Sequence, residues 1–142
     1  MTKRNYWEIK KETLAQHTDH AGVLWHGNYL NWLEEARLDA LSKAGINYID
    51  LIKNGYEMPV VSVVINYKLP IYHGEEILIK SEFLINESPR IKIKSNLVGK
   101  NNKIKTISSI DVVLIYKENF SIVRKKPEFM LEALEKLKNG PK

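Results

Sequence analysis

His17-Thr18-Asp19-His20-Ala21-Gly22-Val23-Leu24-Trp25-His26-Gly27-Asn28-Tyr29 is the most crowded stretch of this sequence, and the rest of the chain is arranged about it. These thirteen residues hold three of the four histidines, one carboxylate and two glycines. Such polar crowding among apolar neighbours does not suit an ordinary surface turn. Asn28 carries an N-capping side chain, which accepts from free first-turn amides. The spacing then predicts a helix from Tyr29 to Ala44, stopped by Gly45. On a 3.6-residue wheel Tyr29, Leu33, Ala36, Ala40 and Ala44 share one stripe, flanked by Leu30 and Leu41. Asn31, Glu35, Leu38, Asp39 and Ser42 lie away from it. Three alanines on the stripe let a sheet come close to the helix axis. The loop ahead of the helix delivers Asp19 towards its amino end, where unpaired amides and the dipole favour an anion or a polarised carbonyl. A carboxylate and free amides facing one gap suit acyl transfer.

Around this stretch the chain reads as strands. Tyr6 to Leu14 alternates Trp7, Ile9 and Lys11 against Tyr6, Glu8, Lys10 and Glu12. Asn47 to Lys53 fits a short second helix ended by Asn54-Gly55. Pro59 introduces Val60 to Tyr67, a β-branched run of the kind found in buried strands, and Val60–Ile65 is expected to form an apolar sheet edge that needs a partner. Ile77 to Ile85 and Arg90 to Val98 follow, then a hairpin turn at Gly99-Lys100-Asn101-Asn102 and one long strand from Lys103 to Tyr116. Pro127 opens a last helix over about 127–138, with Asn139-Gly140-Pro141 as a frayed end. A strand, a long helix and then a run of antiparallel strands give an α+β fold with one sheet against one main helix.

At 142 residues the expectation is one domain with a real core. A hydrophobic content of 44% with 27% charged residues is ordinary for a soluble globular protein. No apolar run approaches the roughly twenty residues of a membrane span, and the start, Met-Thr-Lys-Arg-Asn-Tyr-Trp-Glu, has no apolar signal core. A cytoplasmic protein is expected. With no cysteine, disulfides, a thiol nucleophile and thiolate-bound metal are excluded. The net charge of +5 favours an anionic partner: nucleic acid, an acidic carrier protein or a nucleotide-bearing cofactor.

The order of elements and the motif together resemble the hotdog-fold thioesterases of the 4-hydroxybenzoyl-CoA thioesterase-like family. That family's pattern is roughly Asp-x-Asp-x-x-Gly-x-Val, an aromatic pair or aromatic-His, then x-Asn-Tyr leading into the central helix. The matching residues are Asp19, Gly22, Leu24, Trp25, His26, Asn28 and Tyr29, continued by Glu34-Glu35-Ala36-Arg37, Met58-Pro59-Val60-Val61 and Tyr67-x-x-Pro70. One departure is that His17 stands where the family has its first acid. The resemblance implies a hotdog fold, an antiparallel sheet wrapped around one long central helix, with residues 1–142 forming a single thioesterase domain. It implies an acyl-CoA thioesterase with Asp19 as the catalytic carboxylate, attacking the thioester carbonyl or deprotonating a water. It implies the backbone N–H of His26 as donor to the developing oxyanion, and a substrate-binding place for Tyr29. No cofactor is called for, coenzyme A being part of the substrate. Homodimers or homotetramers with sites between subunits are expected.

His17, His20 and His26 with Asp19 fit no helical His-x-x-x-His pair, so no metal is expected. Arg37, at the edge of the apolar stripe, calls for a partner: Glu34 one turn back, or a carboxylate across a subunit interface. Between Ser88 and Ile110 there are six basic residues and no acid. Arg90, Lys92 and Lys94 share one strand face, which reads either as a solvated surface or as a docking strip for coenzyme A phosphates, with Arg90 and Lys92 the candidates. Rival readings are an acyl-carrier-protein thioesterase, a non-catalytic acyl-CoA-binding protein, and a small nucleic-acid-binding domain. The last is disfavoured because no aromatic is interleaved from Arg90 to Lys105 to stack bases.

Overall fold

Strand β1 (Trp7–Glu12) and four longer strands, β3 (Val60–Tyr67), β4 (Glu76–Leu84), β5 (Arg90–Val98) and β6 (Ile104–Val113), hydrogen-bond into one antiparallel sheet. Their spatial order is β1-β4-β5-β6-β3. The structure is a computed structural model and describes residues 5–141. Two short strands, β2 (Tyr56–Glu57) and β7 (Ile115–Tyr116), pair separately. The helices are α1 (His26–Ala44), α2 (Tyr48–Lys53) and α3 (Glu128–Asn139).

One face of the sheet buries Ile77, Ile79, Phe83, Ile91, Ile93, Leu97, Ile110 and Val112 in a single core with Tyr29, Trp32, Leu33, Ala36, Ala40, Leu41 and Ala44 of α1. The same sheet face also carries small residues. Ser81, Ser95 and Ser108 are cross-strand neighbours in one row, and all are buried. Buried hydroxyls need partners: Ser81 Oγ lies 2.7 Å from Ser95 Oγ, and Ser108 Oγ donates to the Ser95 carbonyl at 3.1 Å. Ala36, Ala40 and Ala44 are each less than 5% exposed in that core. The α3 helix closes the core with Met130, Leu134 and Leu137, and Trp7 Nε1 donates to the Leu137 carbonyl at 3.0 Å.

Four expectations are corrected. First, the central helix begins at His26, not Tyr29, and Trp25 is its cap residue. Asn28 lies inside the first turn and donates its side-chain amide to the His17 carbonyl at 2.7 Å, so it ties the preceding loop down instead of capping. Second, Leu30, which flanks the predicted stripe, is 47% exposed, while Trp32, left off that stripe, is 1% exposed. Third, the long final strand is broken at Leu114. Strand β5 begins at Arg90, opposite Val113, so the chain runs out of partner there. The Leu114 amide donates to the Pro89 carbonyl at 3.3 Å and the chain re-pairs with β2.

Fourth, Val60–Tyr67 is not a buried strand within the chain. It is the apolar edge expected at Val60–Ile65, lying beyond β6 with Val60, Val61, Val63, Val64 and Tyr67 all exposed. A long apolar edge of this kind presents unpaired backbone groups. The other elements lie close to their expected bounds, α2 capped by Asn47, whose side chain accepts from the Ile49 amide at 2.9 Å. Among the described residues no helix is long and apolar enough to cross a membrane.

Candidate active site

The crowded loop is a small closed structure of its own. The Asp19 amide donates to the Val23 carbonyl at 2.9 Å and the Gly22 amide to the Asp19 carbonyl at 3.0 Å, turning the chain through Gly22 at φ 80. That left-handed conformation suits a residue without Cβ. The loop is pinned on two sides. Leu24 donates to the Ile71 carbonyl at 2.7 Å and His73 to the Gly22 carbonyl at 3.1 Å, docking it on the Ile71–Gly74 connection. Trp25 donates to the His17 carbonyl at 2.9 Å, so the loop's base lies beside the start of α1.

Asp19 sits at the tip of this loop, partly buried. Its Oδ1 accepts from the Ala21 amide at 2.8 Å, and among the described residues no protein group pairs with Oδ2. One oxygen is held and the other is free to act, a geometry that suits a nucleophile or a general base. The amides of His26 and Gly27 open α1 and precede its hydrogen-bond ladder. They are the donors that a polarised carbonyl would meet at the positive end of the helix.

His17, in the place of the family's first acid, has structural work. Its Nδ1 accepts from the Leu14 amide at 3.0 Å, and its ring stands edge-on to Trp32 with centroids 5.5 Å apart. The His26 side chain is exposed and tilts against the Trp25 indole, 5.0 Å between centroids. Tyr29 is 4% exposed, edge-on to Tyr67 at 4.8 Å. Burial pushes its phenol above the ordinary value, with the neighbouring Thr106 hydroxyl opposing and Tyr67 and Glu75 adding to the rise. Thr106 Oγ1 is itself buried without a hydrogen bond of good geometry. Arg37 has Glu34 as its partner, at 4.0 Å, and burial pulls its guanidinium below the ordinary value while Glu34 opposes.

The basic strip lies on the outer sheet face, remote in register from the loop. Arg90 and Lys92 share that face with Lys94, and both converge on Asp111, at 3.4 Å and 3.1 Å. Asp111 is only 6% exposed. It is the first acid after the acid-free run, and the register Lys92↔Asp111 puts it directly opposite. The structure therefore places the Asp19 loop ahead of the amino end of α1 and gathers Arg90 and Lys92 elsewhere, around a carboxylate that sequence reading passed over. Thr106 and Glu75, the neighbours of Tyr29, were also passed over, and Trp25 was read only as part of the motif. Glu75 orders the Ile71–Gly74 connection, accepting from the Tyr72 amide at 2.6 Å and pairing with Lys105 at 3.1 Å. Among the described residues no group of three His, Cys, Asp or Glu side chains is placed to hold a metal ion.

Residues 13–106 match the model of the thioesterase-like superfamily. A Synechocystis protein, sll0410, provisionally named an esterase, is 33% identical over 134 residues, covering 94% of this chain and 81% of its own. YneP of Bacillus subtilis, provisionally named an acyl-CoA thioesterase, is 40% identical over 68 residues, 46% of this chain and 49% of its own. The crystal structure of the DHNA-CoA thioesterase of Staphylococcus aureus superposes with a TM-score of 0.83 at 32% identity, covering 92% of this chain and 89% of that one. The Asp19 loop ahead of α1 is thus set in a shared framework: the chain belongs to the thioesterase-like superfamily and is a hotdog-fold thioesterase.

Proposed function

We propose that this protein hydrolyses the thioester of an acyl-coenzyme A to free acid and coenzyme A, as a single hotdog domain in the cytoplasm, with Asp19 as the catalytic carboxylate. The observation that carries the reading is the Asp19 side chain: one oxygen fixed by the Ala21 amide, the other free, on a loop tied to the first turn of α1. Asp19 acts on the carbonyl directly, through a mixed anhydride, or through a water that it deprotonates. In both routes negative charge grows on the thioester oxygen, and the His26 amide at the helix's positive end stabilises it. Support for a coenzyme A substrate comes from the relatives, the Staphylococcus aureus enzyme being named for a CoA thioester. A panel of acyl-CoA thioesters assayed for released thiol tests the reading, and a folded protein that hydrolyses none of them overturns it.

Arg90 and Lys92 are assigned to the nucleotide phosphates. They are half exposed although paired with Asp111, so an incoming phosphate can share them. Contacts this remote from the scissile bond provide uniform binding. Changing both to Ala is expected to raise KM for acyl-CoA more than it lowers kcat, and to leave an acyl-pantetheine thioester nearly untouched. Salt should mimic the change for the full substrate only. Equal loss on both substrates would mean that the pair serves only to balance Asp111. Full activity on acyl-pantetheine carried by an acidic protein, with none on acyl-CoA, would instead favour a carrier-protein substrate for this cationic chain.

The working unit is assigned as a dimer or tetramer. The free edge of β3, with Val61, Val63 and Val64 exposed, is the surface that a second copy would pair. Sedimentation at micromolar concentration is expected to show a dimer or larger. A stable, fully active monomer would sink this assignment.

A further inference from the structure

Trp25 differs from the other two tryptophans. Trp7 and Trp32 are 6% and 1% exposed, whereas Trp25 is 47% exposed at the start of α1. Its indole is nonetheless placed. A Cβ built on Gly27 would collide with Cζ3 and Cη2 of that indole, so the edge of its six-membered ring is seated against the first helical turn. Gly27 is not among the residues with positive φ, so its backbone does not require glycine. A glycine inside a helix costs stability relative to alanine. The steric reason for a bare Cα here is the indole, which is held at the helical turn whose first amides, those of His26 and Gly27, precede the hydrogen-bond ladder. An oxyanion is best stabilised by such donors where water is excluded.

We propose that Trp25 contacts the substrate: its indole, seated on Gly27, forms the wall that keeps water from the His26 and Gly27 amides while the thioester carbonyl occupies them. This rests on the reading that those amides receive the carbonyl, and it adds the residues that dry them. The side chain takes no part in bond making. It loses exposure when the acyl thioester binds, and Gly27 matters only because it leaves room for the ring.

Acrylamide quenching reads Trp25 selectively, since the other two tryptophans are buried. With Asp19→Asn protein, to prevent turnover, octanoyl-CoA and benzoyl-CoA are the probes and coenzyme A alone the control. A severalfold fall in quenching with at least one thioester, exceeding that with coenzyme A, is expected; unchanged quenching at saturating thioester overturns the proposal. Gly27→Ala should displace the indole and lower wild-type kcat by roughly tenfold or more, the scale of a small misplacement at a reacting centre. Its thermal midpoint should hold or rise, because alanine is the better helix former, so a loss of activity cannot be ascribed to unfolding. Trp25→Ala should show a similar loss, and Trp25→Ala/Gly27→Ala no further one, the non-additivity of two residues acting through one contact. An equal Gly27→Ala loss in both backgrounds overturns the proposal. Protection of Trp25 in a protein that hydrolyses no thioester would uphold the contact and reject the hydrolase reading, which keeps the two failures apart.

Discussion

Asp19→Asn is expected to remain folded and to lose at least the ~10²–10⁴-fold of thioester turnover that a positioned proton-transfer group supplies. Asparagine keeps an oxygen able to accept from the Ala21 amide, so the turn held by that 2.8 Å bond survives. The rest of the loop is held by backbone bonds that do not involve the side chain: Asp19 to Val23, Gly22 to Asp19 and Trp25 to His17. What is lost is the charge and basicity of the free oxygen. Circular dichroism and the thermal midpoint should therefore match wild type while kcat collapses. Wild-type turnover in the folded variant would reject Asp19 as catalytic carboxylate. A collapse of turnover together with the fold would show that the loop depends on the charge.

The largest effect on stability is expected at Trp32. It is 1% exposed among the core residues of α1, and Phe or Trp to Ala changes in cores typically cost about 3–5 kcal/mol. Trp32→Ala should therefore consume a large part of the stability of a domain this size, read as a lowered midpoint in urea with little change in slope. The change also reaches the site. The His17 ring rests edge-on against Trp32, and the His17 carbonyl is the acceptor for both the Trp25 amide and the Asn28 side chain. Removing the indole loosens the post to which the Asp19 loop is tied, so kcat should fall even where the variant is fully folded. Trp32→Phe should recover most of both losses. A destabilisation below about 1 kcal/mol would mean that neighbours collapse into the space, contrary to a packed interior.

The contrast between Asp19 and Arg90 shows what a linear reading reaches. Asp19, Gly22 and His26 belong to one short stretch whose loop bonds are local, so their joint arrangement was visible as a motif. Arg90 and Lys92 were placed correctly on one strand face by alternation. Their common partner was not, because Asp111 lies on the neighbouring strand and meets them only through the β5–β6 register. Asn28 misled for a related reason. Its residue type fits a cap, but the helix starts at His26, with the Asn28 amide donating to the Trp25 carbonyl, and the Asn28 side chain donates to the His17 carbonyl instead of accepting from first-turn amides.

By itself the sequence determined the features that depend on local periodicity and residue chemistry. These are the long helix with its alanine stripe ending at Gly45, the alternating strands from Ile77 to Val98, and the Asp19 loop in front of the helix. Side-chain spacing decides which face of an element is apolar before any partner is present. The tertiary structure alone decided how those faces and edges meet. It aligned Ser81, Ser95 and Ser108 in one row across three strands, broke the last strand at Leu114 where β5 ends, paired Val60–Tyr67 with β6 alone, and seated the Trp25 indole against Gly27. A β-branched run has the same composition whether it pairs on two sides or one. Which case applies depends on hydrogen-bond partners distant in the chain, and those are fixed only when the whole sheet is assembled.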